Sequence, residues 1–413
     1  MWKPVATAFP SIRRQADFFL IILLIWFLGF SFHPQSIAQA EDNPATCVDE
    51  FVEDHDYFPT KITVEQATGF QVEYFNHYKL VTVSQPWRDA PAEASETYLL
   101  VQCGTPIPEG YEEYITVEIP ITSLAALSTT YLPFLPLFGA VDRLVAVSDL
   151  TTIHTEEVAE AAATGQIMAL APNYGEINLE AILEIQPAIT MTYGFGFETD
   201  SYHRLRDLGI TVVLNGEFAE GTPLGRAEWG KYISLFFNQE ATAEEVFQQS
   251  VTSYAQLKAL ASEASEQPTV FLNSPFQDVW YMAGGRSFMA QFLKDAGGAY
   301  LWADDESTAS LFLDFETVFE RAESADYWLN VSQWWFSSAD VLAEDSRYAN
   351  FAAFQNGQVW SNNLAINESF GNDFFESGSA FPELILQDLI TILHPDLLPD
   401  VERRFYRRLS DSP

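Results

Sequence analysis

Basic residues are scarce in this 413-residue chain, which has 20 Lys and Arg against 58 Asp and Glu and a formal net charge of −38. A surface this acidic repels phosphate backbones and anionic lipid headgroups, so the shortage argues against nucleic-acid binding and a polybasic membrane role. Disorder is excluded by composition, because 48% of the residues are hydrophobic and there are 10 Trp, 17 Tyr and 33 Phe. At roughly 100–200 residues per domain, the length predicts two sizeable cores.

Long apolar runs are equally rare, and the one at Phe18–Phe32 lies close to the N-terminus. It follows Lys3 and the pair Arg13-Arg14, and it precedes small residues that end in Ala38-Gln39-Ala40, which is the order of a secretory signal peptide. As a helix this run would reach only about 22 Å, short of a roughly 30 Å hydrocarbon core. We therefore predict cleavage after Ala40 and export to the periplasm; an uncleaved N-terminal anchor is the alternative.

Only two cysteines are present, Cys47 and Cys103, and both follow the predicted signal. In an oxidising compartment, two cysteines most simply form one disulfide. A lipid-modified Cys47 is less favoured, because Pro44-Ala45-Thr46 lacks the lead sequence of a lipoprotein attachment site. A catalytic thiol has no support either, because no histidine lies close to either cysteine in the sequence.

Histidine is also scarce, with 6 residues in the chain. No two of the histidines that follow the signal are spaced like a pair of metal ligands. A bare zinc or manganese site built from several histidines is therefore not expected. The chain also lacks a G-x-S-x-G nucleophile elbow, a phosphate-binding P-loop and an H-E-x-x-H motif. We predict that the protein is not an enzyme and has no cofactor or metal site of its own; an acid–base pair among the many carboxylates is the open alternative.

The hydrophobic pattern divides the rest of the chain. Residues 41–115 alternate polar and apolar positions between Gly and Pro, which predicts a β-rich N-terminal extension. Beyond residue 116, short apolar runs alternate with helical patterns, which indicates βαβ units and parallel sheets. The runs are Leu124–Leu127, Leu144–Val147, Ile189–Thr192, Ile210–Leu214, Thr269–Leu272, Tyr327–Val331 and Gln358–Trp360. We therefore predict an α/β fold with two lobes, residues 116–241 and 265–413, and a ligand cleft between them.

A helical segment without Gly or Pro separates the two predicted lobes. Thr242-Ala243-Glu244-Glu245 fits a capping box, and apolar residues follow at largely helical spacing. A helix of this length spans about 32 Å, roughly the width of a small lobe. We predict that residues 242–264 form one long helix joining the lobes; a surface helix within one large domain is the alternative.

Polar and aromatic residues follow the predicted strands at their carboxyl ends, where ligands bind in open parallel sheets. Hydroxyl and amide groups beside aromatic rings suit a cleft that stacks on a flat ligand and hydrogen-bonds its rim. Each position alone is weak, because small polar residues are also ordinary turn formers. The predicted ligand contacts are Ser128, Thr129, Thr130, Tyr131, Tyr193, Phe195, Ser274, Phe276, Trp280, Tyr281, Trp334, Trp335 and Asn362, with Arg286 as the cation for an anionic ligand.

A weak internal repeat supports the two-lobe prediction. Leu179–Glu184 aligns with Phe315–Glu320, and each run is a short amphipathic helix that precedes a predicted strand. Glu180 and Glu316 thereby occupy equivalent positions near helix N-termini, where acidic side chains interact favourably with the helix dipole. On the pattern alone, that structural explanation is preferred.

Together these segments resemble the helical-backbone class of periplasmic substrate-binding proteins, which serve ABC importers of ferric siderophores, haem and cobalamin. The similarity covers the chain from about residue 116 and rests on the order and spacing of four segments. These are Ile119–Ser148, Asn178–Tyr193, Pro223–Phe247 and Asp314–Val331. Residues 41–115 and Asn372–Pro399 are similar to a subgroup that binds iron complexes. In this class a glutamate on each lobe docks into arginine pockets of the permease, and the resemblance assigns that role to Glu180 and Glu316.

The resemblance implies a non-enzymatic periplasmic receptor, expected to be a monomer, that presents an iron chelate to an ABC importer permease. The chelate would be a ferric siderophore, and because the chelator holds the iron, the protein would need no metal ligands. Two alternatives stay open: a cobalamin or haem receptor of the same fold, and an exported α/β hydrolase that acts on a chelate. A haem receptor would need an axial ligand, for which Tyr131 and His154 are the candidates.

Overall fold

The computed structural model describes residues 42–172 and 175–409. The predicted signal peptide, residues 1–40, lies outside this range. Among the described residues, no helix combines the length and the apolar character that crossing a bilayer requires.

The N-terminal extension is built on one four-stranded sheet. Its strands are β1 (Phe70–Tyr74), β2 (Tyr78–Val83), β3 (Glu96–Gln102) and β4 (Ile115–Ile119). The first three pair antiparallel, and β4 pairs parallel with β3. Burial alternates along β2, so one face of the sheet packs inward and the other meets solvent. The β-rich prediction for this region agrees with the sheet, although β4 continues past residue 115.

The predicted disulfide between Cys47 and Cys103 is present, with the two Cα atoms 4.6 Å apart. It ties the segment that precedes the sheet to the residue that follows β3. The neighbouring Val48 N–H donates a hydrogen bond of 2.8 Å to the Cys103 carbonyl, so the backbone continues the same contact. The segment around Cys47, which precedes the sheet in the chain, is therefore fixed to the end of β3.

The N-terminal lobe contains a parallel five-stranded sheet in the order β7-β6-β5-β8-β9. Its strands are β5 (Leu124–Ala126), β6 (Leu144–Val147), β7 (Met168–Ala169), β8 (Ile189–Thr192) and β9 (Val212–Leu214), and its helices are α1 (Phe134–Leu137), α2 (Glu156–Ala163), α3 (Leu179–Ile185) and α4 (Ser201–Asp207). All side chains of β5, β8 and β9 are buried, as expected for a parallel sheet covered on both faces. The four strands predicted here are confirmed, and the two-residue β7 was missed.

Two helices then lead towards the second lobe: α5 (Pro223–Ser234) and α6 (Glu240–Ala261). The long helix predicted at 242–264 therefore begins and ends slightly earlier than expected. The predicted capping box is wrong, because Thr242 lies inside the helix and its hydroxyl donates to the Gln239 side chain at 3.2 Å. The helix α6 begins at Glu240, which is buried and pairs with Lys79 of the extension. No side chain caps the start of the helix.

The C-terminal lobe has a five-stranded sheet in the order β13-β10-β15-β16-β17, parallel except for β17, and a small antiparallel sheet β11-β12-β14. The strands are β10 (Thr269–Leu272), β11 (Pro275–Phe276), β12 (Val279–Ala283), β13 (Ala299–Tyr300), β14 (Ser310–Leu313), β15 (Tyr327–Leu329), β16 (Val359–Ser361) and β17 (Arg407–Arg408). The helices are α7 (Phe288–Asp295), α8 (Phe315–Ala322), α9 (Ser338–Glu344), α10 (Ala352–Gln355), α11 (Ser377–Ala380) and α12 (Pro382–Leu393). The two-lobed α/β fold predicted from the sequence is confirmed, but the small antiparallel sheet was not foreseen.

The extension shares its core with the N-terminal lobe. Phe58, Val81 and Tyr98 of the extension lie in the same apolar cluster as Leu124 and Met191 of the lobe sheet. Apolar burial of this kind is the main favourable term in folding. The extension is therefore an integral part of the first lobe and not an appended module.

Buried carboxylates hold the loop that precedes β1. Glu228 in α5 accepts hydrogen bonds from the backbone N–H groups of Glu65, Gln66 and Ala67 at 2.6–2.9 Å. Glu220 accepts from the Thr68 N–H and the Gly69 N–H at 2.8 and 2.9 Å. Such charge-assisted bonds are directional, so they fix the loop against the start of α5.

A second buried contact joins β2 to the start of α6. The Lys79 ammonium donates to the Asn238 side chain at 2.8 Å and to the Leu235 carbonyl at 3.1 Å, and it forms an ion pair with Glu240. The Lys79 and Glu240 side chains are both fully buried. Burial lowers the pKa of Lys79, and the Glu240 carboxylate opposes that shift.

We expect Lys79→Met to lower the free energy of unfolding by about 3–5 kcal/mol, because the substitution leaves the Glu240 carboxylate buried without its cation. Urea denaturation followed by circular dichroism measures the effect. Lys61→Met is the matched control, since Lys61 pairs with Asp56 on the surface and such pairs contribute about 0–1 kcal/mol. Equal losses in the two variants would contradict a structural role for the buried pair.

Candidate functional site

The carboxyl ends of the N-terminal lobe strands open into a cavity of about 770 Å³. Ser128 and Thr129 reach it from the end of β5, and Tyr193 and Phe195 reach it from the end of β8. The opposite wall comes from the C-terminal lobe and includes Gln333, Phe370, Gly371, Asn372 and Phe375. This first cavity therefore lies between the two lobes, where open parallel sheets bind ligands.

One carboxylate shapes the loop that carries the aromatic residues of the first cavity. Asp200 Oδ2 accepts hydrogen bonds from the backbone N–H groups of Phe195, Gly196 and Phe197 at 2.7, 2.9 and 3.3 Å. The Phe195 and Phe197 side chains are 56% and 64% exposed, and Phe195 lines the first cavity. Tyr193 and Phe195 meet edge to face with ring centroids 5.3 Å apart. The loop thus presents a preformed aromatic surface to a ligand.

A second cavity, of about 540 Å³, opens at the carboxyl ends of the C-terminal lobe strands. Asn273 and Ser274 follow β10, Asn330 and Ser332 follow β15, and Asn362 follows β16. Gln333 and Phe375 line both cavities, so the two are neighbours within one cleft. We call this second space the arginine cavity, because Arg88 and Arg226 also line it.

Arg88 and Arg226 meet at the Phe218 carbonyl. Arg88 Nη2 and Arg226 Nη2 each donate to that oxygen at 2.9 Å. Arg88 Nη1 also donates to the Thr308 carbonyl of the C-terminal lobe at 2.7 Å, so this side chain bridges the two lobes. Burial lowers the pKa of both guanidiniums, but an arginine remains charged at physiological pH.

Glu217 is an acid that faces Arg226. Burial raises the pKa of the Glu217 carboxyl, while the charge of Arg226 and a hydrogen bond from Thr130 oppose that rise. Thr130 therefore turns towards Glu217, and its hydroxyl also lies 2.8 Å from the Ser128 hydroxyl. This places Thr130 behind the wall of the cleft.

The segment that follows β16 closes one side of the cleft. Glu376 accepts hydrogen bonds from the backbone N–H of His154 and from the N–H and hydroxyl of Thr155, at 2.5–3.2 Å. His154 Nε2 lies 2.8 Å from the Gly371 carbonyl. Burial raises the pKa of Glu376, and the hydrogen bonds from Thr155 and His154 oppose the rise. These contacts hold the C-terminal lobe segment against the start of α2.

Half of the predicted ligand contacts line the cleft. They are Ser128, Thr129, Tyr193 and Phe195 in the first cavity and Ser274, Tyr281 and Asn362 in the arginine cavity. Their positions at strand ends follow from the parallel topology that the sequence indicated. Contact between these residues and a ligand stays a prediction.

Three of the predicted aromatic contacts are core residues. Tyr131, Trp280 and Trp335 are 1%, 0% and 5% exposed, so they do not face the cleft. Trp280 points inward from β12 and its indole N–H donates to the Leu272 carbonyl at 2.8 Å, whereas its neighbour Tyr281 points outward. Alternate residues of a strand face opposite sides, so only one of these two rings can meet a ligand. His154 and Tyr131 are the two candidate axial ligands for haem. Neither residue lines the described parts of the two cavities.

Arg286 and two exposed rings also lie away from the cavity walls. Arg286 is exposed and forms an ion pair with Glu306 at 3.0 Å, which corrects the prediction that it is the cation of the site. Phe276 is 65% exposed on the β11–β12 hairpin. Trp334 is 55% exposed and packs on Phe370 with ring centroids 4.2 Å apart, so it stands beside the first cavity without lining it.

The sequence interpretation missed the two arginines that do line the cleft. Their contacts are distant in the chain, with Arg88 bonded to Phe218 and to Thr308. The rarity of basic residues limits the candidates, but Gly285-Arg286 has the same neighbour as Gly225-Arg226, so the sequence alone does not separate the two. Within residues 42–172 and 175–409, no group of three or more His, Cys, Asp or Glu residues is placed to hold a bare metal ion.

Comparison with known proteins gives a consistent result. The sequence profile of the family described as "Periplasmic binding protein" matches residues 124–361, which is more than half of the chain and begins after the extension sheet. An uncharacterised lipoprotein of Methanocaldococcus jannaschii is 25% identical over 328 residues, a region that covers 75% of each chain.

Solved structures show the same fold. A possible iron-binding, periplasmic solute-binding protein from Staphylococcus epidermidis superposes with a TM-score of 0.52 at 14% identity, covering 67% of this chain and 99% of that one. A periplasmic haem-binding protein from Roseiflexus sp. superposes with a TM-score of 0.51 at 16% identity, again covering 67% and 99%. At these identities the likeness establishes the fold and leaves the ligand to be argued from the cleft.

We expect Asp200→Ala to loosen the aromatic loop without unfolding the lobe, because three backbone N–H groups lose their common acceptor. Hydrogen–deuterium exchange should become faster across residues 194–198, while the strands β8 and β9 stay protected. Asp207→Ala, at an exposed position at the end of α4, is the matched control and should leave the loop unchanged. Unaltered exchange in the Asp200 variant would show that the carboxylate does not hold the loop.

Proposed function

The chain belongs to the periplasmic binding protein family, and from that premise we propose that it is an exported receptor that delivers a metal chelate to an ABC importer. The cargo that we favour is a ferric siderophore. Members of this family bind solutes and are not enzymes, so the alternative of an exported hydrolase is set aside. Cleavage after Ala40 and a monomeric state are parts of the same proposal.

The observation that carries this proposal is the cleft between two parallel-sheet lobes. Its two neighbouring cavities, of about 770 and 540 Å³, match the size range of small-molecule sites, roughly 300–1,000 Å³. Hydroxyl, amide and aromatic groups line it, which suits a chelate with an apolar edge and a hydrogen-bonding rim. A metal that arrives already chelated is recognised through its chelator, so the lining needs to complement the organic shell.

The two axial haem ligands named from the sequence do not face the cleft, whereas Tyr193 and Tyr281 do line it, so haem stays an alternative cargo that titration decides. Haem recognition in this fold was expected to use Tyr131 or His154 as an axial ligand. Tyr131 is buried in the lobe core, and the His154 ring is engaged with the Gly371 carbonyl. Similarity to the haem-binding protein from Roseiflexus is a likeness of fold and does not carry its ligand to this chain.

A ferric siderophore should quench the tryptophan fluorescence of the protein, because a coloured, paramagnetic complex would lie close to Trp334 at the edge of the first cavity. Titration followed by emission measures the affinity, and Trp334→Phe should reduce the amplitude of quenching without changing the midpoint. Cobalamin and haemin titrations, followed by visible absorbance, test the alternative cargoes. If none of these compounds changes either signal, the receptor proposal is refuted.

The second part of the proposal concerns delivery to the permease. Glu180 and Glu316 are the second residues of α3 and α8, and both are exposed. Each helix has an Asx N-cap, since Asn178 accepts from the Ala181 N–H at 3.1 Å and Asp314 accepts from the Thr317 N–H at 2.8 Å. Glu316 pairs with Arg347 at 3.1 Å on the surface, an interaction that an arginine of a partner can replace at small cost. We propose that these two glutamates dock the receptor to its permease.

The double variant Glu180→Arg/Glu316→Arg should abolish cargo uptake into cells or vesicles that carry the cognate importer, while cargo affinity stays within about twofold, because like charges then face the permease arginines. Glu184→Arg/Glu320→Arg is the matched control, since it places the same charge reversal on exposed residues one helical turn further along each helix. Normal uptake by the first double variant, or equal loss in both, rules out the docking assignment.

A further inference from the structure

The arginine cavity differs in charge from the rest of this acidic protein. The chain has 58 Asp and Glu against 20 Lys and Arg, yet the described residues that line this cavity include Arg88 and Arg226 and no carboxylate. The first cavity, by contrast, is lined by Asp149, Glu176 and Asp200 as well as Arg204. Positive charge is therefore concentrated in one half of the cleft.

Arg88 is delivered to the cleft by the extension. It belongs to the segment between β2 and β3, which lies over the ends of β8 and β9. Two glycines make that approach possible: a Cβ on Gly216 would lie 2.3 Å from the Gln85 carbonyl oxygen, and a Cβ on Gly196 would lie 2.5 Å from Trp87 Nε1. Any larger residue at these two positions would push the segment, and Arg88 with it, away from the cleft.

The two guanidiniums keep hydrogen-bonding capacity. Each has five N–H donors, and with the described residues each forms two hydrogen bonds, all to backbone carbonyls. Within the described part of the chain, neither lies within 4.0 Å of a carboxylate oxygen. The Arg226 guanidinium carbon lies 3.9 Å from the centre of the Phe288 ring, which holds its plane in place.

Two glutamates, Glu217 and Glu220, lie near Arg226, and each is hydrogen-bonded by other groups. Glu220 accepts hydrogen bonds from the Thr68 hydroxyl, from the backbone of Thr68 and Gly69, and from the Trp229 indole N–H. Glu217 faces Arg226 without forming an ion pair and is itself hydrogen-bonded by Thr130. Two positively charged, planar groups thus share one wall of a cavity whose described lining contains no carboxylate. Glu217 and Glu220 act on Arg226, and Asp89 acts on Arg88, through space and without an ion pair.

We infer that Arg88 and Arg226 form a seat for an anionic group of the cargo, of the carboxylate or catecholate type, so that the N-terminal extension supplies part of the binding site. Two oxygens held at fixed spacing match the fork of a guanidinium, and a pair of guanidiniums matches a chelate that bears several such groups. Asn273, Ser274 and Asn362 line the same cavity and provide neutral hydrogen-bonding groups around the seat. This inference rests on the proposed function and specifies the charge of the cargo.

The seat also connects cargo binding to the arrangement of the lobes. Arg88 donates to the Phe218 carbonyl of the first lobe and to the Thr308 carbonyl of the second. An anion bound to its free N–H group would lie beside the residue that bridges the lobes. Through Arg88, the extension therefore contacts both walls of the cleft at the place where the anionic group of the cargo would bind.

Equilibrium titration with three ferric complexes tests the seat: an anionic tris-catecholate, an anionic citrate complex and a neutral tris-hydroxamate. We expect Arg88→Gln and Arg226→Gln each to weaken binding of the anionic complexes by about 10- to 100-fold, since each removes a charge-assisted contact. Arg88→Lys should retain part of the affinity. Arg286→Gln, which removes an exposed arginine outside the cleft, should change nothing. Circular dichroism and thermal melting show whether each variant is folded.

The outcomes separate the seat from the proposed function. If an anionic complex binds the native chain and both Gln variants equally well, the seat is wrong and the receptor function stands. If no ferric complex binds the native chain, the siderophore proposal fails, and titration with iron-free citrate then decides the seat. Citrate binding that is lost in the Gln variants would support it, and the absence of citrate binding, or citrate binding unchanged in the Gln variants, would overturn it.

Discussion

The cleft depends on the hydrogen bonds that two buried glutamates make to the backbone of the extension. Glu228 and Glu220, in α5 and in the turn before it, accept from successive N–H groups of residues 65–69. If the loop moved away, Glu228 would keep only its ion pair with Lys231 at 3.1 Å and Glu220 its bond from the Trp229 indole at 3.1 Å among the described contacts, so the loop is favoured in this position. The Lys79–Glu240 pair fixes the same sheet a few residues further on. Because β1 and β2 are held in this way, the segment after β2 must cross the ends of β8 and β9, which is where Arg88 enters the cleft.

For the anionic cargo that we propose, the charge distribution of the chain gives the two recessed arginines their role. At a net charge of −38 the surface repels anions, but this repulsion is screened beyond about 8–10 Å in salt. A recessed group in a low-dielectric wall is screened far less, so the two arginines act at short range on the cavity that they line, against the opposing charges of Glu217 and Glu220. The neutral amides and hydroxyls at the strand ends can orient a chelate but cannot offset its charge. In the proposed complex, both lobes would supply the first kind of contact, and the extension, together with α5, would supply the second.

Much of the lobe architecture could be predicted from the sequence, because buried parallel strands are short apolar runs that stand between helices. The bounds of β6 and β8 were obtained in this way. The orientations of the Trp280 and Tyr281 side chains could not be predicted. The β11–β12 hairpin was not recognised in the sequence, so the face of β12 that points inward was unknown. Arg286 was chosen for its charge alone, and the fold turns it to the surface beside Glu306. Arg88 depends on contacts across the whole chain, which no local pattern encodes.

The internal repeat shows how far a local pattern can support a functional assignment. The helix dipole explains an acid in the first turn of α3 and of α8, but it is satisfied by any position in that turn. In both helices the Asx cap already accepts a hydrogen bond from a first-turn N–H, so the exposed glutamate at the second position has no capping role of its own. Equivalent placement in both lobes, outside the cleft and exposed, is what a partner that spans the two lobes would require. The membership of the chain in a family of import receptors therefore favours a contact function for Glu180 and Glu316 over the dipole alone.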